Sequence, residues 1–175
     1  MRKILASILS VILLAACSLP PSTPGIVTKT ASSQNCFYTW DSQPLPDLTA
    51  KVQSALNTAG LTGVSANVQA YGENCSDPQT NQPVRFSTLE TDFNITVKGA
   101  DLTDKRSLGN LLEKILVILD AFPVGKIPGP QPGNITISFQ SGSDQLNLMF
   151  TVAAGKVARQ QGLHGAALID NLQKK

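Results

Sequence analysis

Few side chains in this sequence have the types and spacing for chemistry. Glu90 and Asp92 stand two apart in a stretch of strand-like alternation, so both carboxylates point to one face, which Glu73 joins from the preceding strand-like stretch. Carboxylates grouped this way hold Ca²⁺ or flank a glycosidic bond as acid and base. The solvated face of an antiparallel sheet carries the same pattern without any reaction. His164 is the only histidine, and its glycine neighbours Gly162 and Gly165 suit a turn or surface position. The three cysteines, Cys17, Cys36 and Cys75, form no Cys-x-x-Cys pair. Gly-x-Ser-x-Gly, His-Glu-x-x-His, phosphate-loop and dinucleotide fingerprints are all missing. No catalytic residue, cofactor or metal ligand is therefore assigned.

The N-terminus is more informative. Met1, Arg2 and Lys3 precede an apolar run from Ile4 to Ala16, interrupted only by Ser7 and Ser10. About 20 residues are needed to cross a bilayer as a helix, so this run is too short to span and reads as a secretory signal peptide. Its end, Leu14-Ala15-Ala16-Cys17, resembles the lipobox of bacterial lipoproteins. The resemblance implies that the Cys17 thiol is acylated, with palmitate or a similar chain, and that the leader is cut just before it. Two or more acyl chains, at about 0.8 kcal/mol per buried CH₂, hold a protein stably on a membrane. The expected location is the outer face of the cytoplasmic membrane or the outer membrane. Ser18, rather than Asp, leaves both open.

Residues 1–16 are thus the signal peptide, 17–35 the lipidated cysteine and a Pro/Ser/Thr-rich tether, and 36–175 one α/β domain. A flexible tether of this length spans roughly 20–25 Å. Loss of Arg2 and Lys3 lowers Lys+Arg from 14 to 12, level with Asp+Glu at 12. A neutral mature chain lacks the basic footprint of a nucleic-acid binder. With Cys17 lipidated, Cys36 and Cys75 are left as a pair in an exported compartment, and a disulfide between them is expected. In the chain-entropy account such a bridge stabilises by roughly 4 kcal/mol. The aromatic run Phe37, Tyr38 and Trp40 beside Cys36 is expected to pack Phe37 and Trp40 over that bridge.

Two helices and two hairpins follow from pattern. Leu48, Val52, Ala55, Leu56 and Ala59 lie at helical spacing between Pro46-Asp47 and Gly60. Leu108, Leu111, Leu112, Ile115, Leu119 and Phe122 form a stronger stripe that Thr103 or Asp104 caps and Pro123 ends. Between them, Asp77–Asn81 suits a type I turn with Pro78 second and Asn81 left-handed. That turn would pair Gly72 with Ser87, Val68 with Thr91, Ala66 with Phe93 and Val64 with Ile95. Gly142-Ser143 suits a type II′ turn pairing Phe139 with Leu146, Ile137 with Leu148 and Ile135 with Phe150. Residues 156–172 predict a C-terminal helix with Leu168, Ile169 and Leu172 on its packed side.

The expected fold is α+β: a two-layer sandwich in helix-hairpin-helix-hairpin order (αββαββ), a four-stranded antiparallel sheet and an extra C-terminal helix. This order resembles the BON domain of bacterial envelope proteins and a permuted ferredoxin-like fold over Asp47 to Val152. Order alone implies no activity. The other sheet face collects Asn67, Gln69, Tyr71, Glu73, Glu90, Asp92 and Asn94, groups suited to a glycan, a peptide or an envelope protein. The functional expectation is a noncatalytic, lipid-anchored envelope module that binds through this face. The alternatives are an envelope hydrolase using Glu90 and Asp92, and a homodimeric structural lipoprotein.

Overall fold

The structure, a computed structural model, describes residues 36–173. The signal peptide, Cys17 and the tether lie outside the described residues. The elements run β1 (Phe37–Pro44), α1 (Pro46–Thr58), β2 (Val64–Ser76), β3 (Pro83–Lys98), α2 (Lys105–Leu119), β4 (Gln131–Ser141), β5 (Asp144–Thr151), α3 (Val152–Gln160) and α4 (Gly165–Gln173).

Helix ends follow their local chemistry. Pro46 opens α1, where its missing N–H costs nothing, and Asp47 puts negative charge in the first turn. Asp104 caps α2: its Oδ1 accepts the N–H of Arg106 at 3.1 Å and of Ser107 at 3.0 Å. Hydrogen bonds from Ser107 hold that exposed carboxyl below the usual aspartate range. The β4–β5 hairpin has the expected register in every pair, with Gly142 at φ +58° starting the turn. At the other hairpin Asn81 takes φ +55°, and its N–H donates to the Asp77 carbonyl at 2.8 Å.

The β2–β3 register departs from the expected one. Val64 pairs with Val97, Ala66 with Ile95 and Val68 with Phe93, two residues further along β3 than the turn alone dictates. Irregularities at Tyr71/Gly72 and Cys75/Ser76 each insert one β3 residue, Leu89 and Val84. A single bulge would turn every later side chain to the wrong face, whereas two restore the alternation. The inside and outside assignment therefore survives while the partners change.

The sheet has five strands in the order β1-β2-β3-β4-β5, and it is mixed rather than antiparallel, because β3 and β4 run parallel. The reason is the crossover. A helix that packs back on the sheet returns the chain to the end where β3 began, so an adjacent next strand must run alongside it in the same direction. The fifth strand, β1, was not anticipated. It pairs antiparallel with β2 from Phe37↔Ser76 to Pro44↔Gln69. The single C-terminal helix is two, α3 and α4, broken at Gly162, which has φ +71°.

One core joins the layers. Phe139, Ile137, Ile95 and Val68 from the sheet are closed off by Val52 and Leu56 of α1, Leu112 and Ile115 of α2, and Leu168, Ile169 and Leu172 of α4. Every fully buried core residue lies between Val52 and Leu172, and Gln34–Lys175 forms a compact unit carrying its own core. No helix among the described residues is long and apolar enough to cross a membrane. The tightest crossing is that of α2 with α4, where a Cβ on Gly109 would sit 1.8 Å from the Gly165 carbonyl oxygen. Gly109→Ala must push the helices apart, and a loss of about 1–3 kcal/mol is expected from the overpacking, read as a lower denaturant midpoint at unchanged slope.

Candidate functional site

The face of the sheet turned away from the helices gathers every residue assigned to it from sequence. Asn67 lies opposite Asn94, Gln69 opposite Asp92 and Tyr71 opposite Glu90. On the other side of β2, β1 places Trp40 opposite Glu73, Ser42 opposite Tyr71 and Pro44 opposite Gln69. Strand β4 extends the surface with Asn134 and Thr136, and β5 with Asn147 and Met149.

The largest departure from expectation is aromatic. Phe37 and Trp40 do not pack over the disulfide; both are exposed. Alternation along β1 turns Phe37 to the other face from Tyr38, which pairs with Cys75, and Trp40, diagonal to Tyr71 across the ladder, lies against that ring instead. The two rings stack with centroids 5.5 Å apart and planes 11° from parallel. Trp40 remains 57 % exposed even so. An offset stacked pair of this kind gains about 0.5–1.5 kcal/mol beyond its burial, and it fixes a large flat ring in solvent. Glu73 and Glu90 flank the stack through their strand pairings.

The Cys36–Cys75 disulfide is present, bridging the start of β1 to β2. Beside it lies a shallow recess of about 360 Å³ lined by Tyr38, Glu73, Cys75, Arg85 and Ser87. Sequence reading missed Trp40, Tyr38 and Arg85 as members of this face. The signal was available: "FYTWDSQP" is an aromatic and β-branched run ended by proline, the mark of an edge strand.

Two of the carboxylates have structural occupations. Between Thr91 and Phe93 the β3–β4 ladder skips, with Gly133 and Asn134 facing Asp92 alone. Asp92 Oδ1 accepts the Asn134 N–H at 2.7 Å and so satisfies the bulge. Asn134 Nδ2 donates to Glu90 Oε1 at 3.2 Å. Burial first, and the Asp92 charge second, push the Glu90 carboxyl above the usual glutamate range. Among the described residues no three His, Cys, Asp or Glu come together in a metal-holding group. His164 lies far from this face, in the α3–α4 link, with Nδ1 3.0 Å from Glu113 Oε1.

Comparison with protein-family models, curated proteins and solved structures finds no match to this chain.

The Glu90 shift makes a pH prediction. Folded protein holds the Glu90 proton to higher pH than unfolded protein does, so this group's contribution to stability falls as pH rises through and above the ordinary glutamate range. Glu90→Gln keeps an oxygen for Asn134 and removes the charge. Its thermal midpoint relative to wild type should rise from acidic to neutral pH; a difference independent of pH would contradict the assignment.

Proposed function

We propose that this chain is an exported, lipid-anchored protein of the cell envelope, held by acyl chains on Cys17, whose domain binds a glycan through its outer sheet face without transforming it. The observation that carries the binding reading is the exposed Trp40, stacked on Tyr71 and bordered by Glu73, Glu90 and Gln69. A pyranose presents C–H bonds on its flat face and hydroxyls around its rim. The electron-rich face of an indole attracts the first, and carboxylates and amides accept and donate to the second. An aromatic body among convergent polar groups is how small-molecule sites combine affinity with orientation.

The noncatalytic part rests on the occupation of the carboxylates. Asp92 accepts a backbone N–H and Glu90 a side-chain amide, so neither is a bare acid or base. The raised Glu90 beside Asp92 is the one feature favouring the hydrolase reading, since unequal carboxyl pairs perform acid–base hydrolysis.

Both halves of the proposal are testable. Trp40 is the only tryptophan, so its fluorescence reports directly on the site. Titration of Gln34–Lys175 with soluble peptidoglycan glycan fragments should change that emission saturably, and Tyr71→Ala should weaken binding about tenfold or more, as hot-spot aromatics do. An emission unchanged at millimolar fragment would refute the glycan. Turnover of the fragment, lost in Glu90→Gln, would establish the hydrolase instead. For the anchor, Cys17→Ser should abolish palmitate incorporation and release the protein from the membrane fraction; unaltered fractionation would remove that part of the reading.

A further inference from the structure

On the opposite side of the sheet from the aromatic face, a recess lies beside the core. A cavity of about 520 Å³ opens between the C-terminal end of α2, the loop that leads to β4, and the first turns of α3. Its accessible apolar lining is Phe122, Val124, Ile127 and Val152, with the buried Phe93, Leu116, Leu119 and Ile135 beneath. Protein interiors hold few voids larger than a water molecule, which occupies about 30 Å³. A cavity of this size falls instead within the roughly 300–1,000 Å³ of small-molecule sites.

The walls are built so that they do not collapse inward. The loop and the start of β4 lie tightly on β3: a Cβ on Gly129 would meet the Leu89 carbonyl oxygen at 2.7 Å, and one on Gly133 the Thr91 carbonyl oxygen at 2.2 Å. Thr91, fully buried, donates its hydroxyl to the Pro128 carbonyl at 2.6 Å and latches the loop to the sheet. Pro123, Pro128 and Pro130 remove most of the freedom that would let this loop fold over α3. The cavity is thus preformed, and a ligand entering it orders little.

Its rim is charged asymmetrically. Lys156 and Arg159, three apart on α3, both line it, and Asp120 faces them from the end of α2. Arg159 pairs with Asp120. Lys156 has no ion-pair partner among the described residues. The first turn of α3, at Val152 and Ala153, brings the positive end of that helix to the same wall. An apolar chamber with one surplus positive charge at its mouth is complementary to an apolar body carrying a single negative charge.

We propose that this cavity binds a medium-chain monocarboxylate, with the alkyl chain along Phe122, Val124, Ile127 and Val152 and the carboxylate at Lys156. At about 30 Å³ per water-sized group, the chamber has room for about 17 such groups, enough for the ten-carbon chain and carboxylate of decanoate. The site is independent of the sheet face and of lipidation at Cys17, so failure of this proposal and failure of the proposed function are distinguishable.

The test is calorimetric and NMR titration of Gln34–Lys175 with decanoate, using decyltrimethylammonium as the cation of matched chain. Decanoate should bind saturably, one per chain, moving the amides of Leu116, Ile135 and Val152, and the cation should bind at least about tenfold more weakly. Lys156→Glu changes an exposed side chain, so the fold is kept, and it should weaken decanoate about tenfold or more. Ala153→Trp, also at an exposed position, should fill the mouth and abolish binding at unchanged thermal midpoint. The proposal is overturned if decanoate fails to saturate at millimolar concentration, if the cation binds equally well, or if either stable variant binds as wild type does.

Discussion

The domain depends on α2 and the core that its buried side chains share with the sheet. Its apolar stripe, Leu108, Leu112, Ile115, Leu116 and Leu119, buries more large side chains than any other helix among the described residues does. Burial of each such side chain is worth roughly 1.5–3 kcal/mol, so the helix has no comparable alternative position. With α2 fixed there, β4 must run parallel to β3, and the β4–β5 hairpin takes its place at that side of the sheet. The same helix provides the groove for α4 through Gly109, and its C-terminal turns form one wall of the cavity. Sheet order, helix layer and cavity are consequences of one packing decision.

A second constraint governs the opposite edge. Strand β1 covers β2 only down to Gln69 and then turns into α1, which leaves the backbone of Val64–Val68 without a strand partner on that side. Side chains of α1 complete the ladder. Gln53 donates from Nε2 to the Val64 carbonyl at 3.0 Å and accepts the Ala66 N–H on Oε1 at 2.8 Å. Thr49 Oγ1 accepts the Val68 N–H at 2.9 Å, while the Leu45 N–H donates to the Val68 carbonyl. Leaving such groups unpaired costs about 1–3 kcal/mol each where they are buried. The helix therefore both covers the core and blunts an edge that would otherwise invite another strand.

What could be read in the sequence is what local chemistry determines. Turns with committed residues, Gly142-Ser143 and Asp77–Asn81, announced both hairpins, and the stripe of α2 announced its helix and cap. The outer face was legible because alternation has a period of two whatever the partner strand. The bulges at Leu89 and Val84 were not legible, since each depends on backbone fit against two neighbours at once. Strand β1 was marked by composition alone: all eight of its residues are exposed, so no buried alternation reinforces its aromatic run. The cavity was beyond sequence altogether. The hydrophobic residues that line it read as ordinary core, and only the placement of a proline-rich loop relative to α3 keeps them apart.

The disulfide acquires its meaning from the same edge position. Strand β1 is held by one ladder of hydrogen bonds, each worth about 0.5–1.5 kcal/mol net, and it carries Trp40 of the aromatic stack. A chain anchored at Cys17 would transmit any pull to the start of this strand. Hydrogen bonds loaded one at a time from a strand end open in sequence, and the binding face would open with them. The bridge from Cys36 to Cys75 sits at that end and joins it covalently to β2, a strand paired on both sides. Tension entering at Cys36 is borne by β2 and the core beneath it, so β1 keeps its register and Trp40 stays against Tyr71. The proposed anchor and the proposed binding face are compatible because a covalent bond separates the load from the ladder that positions the site.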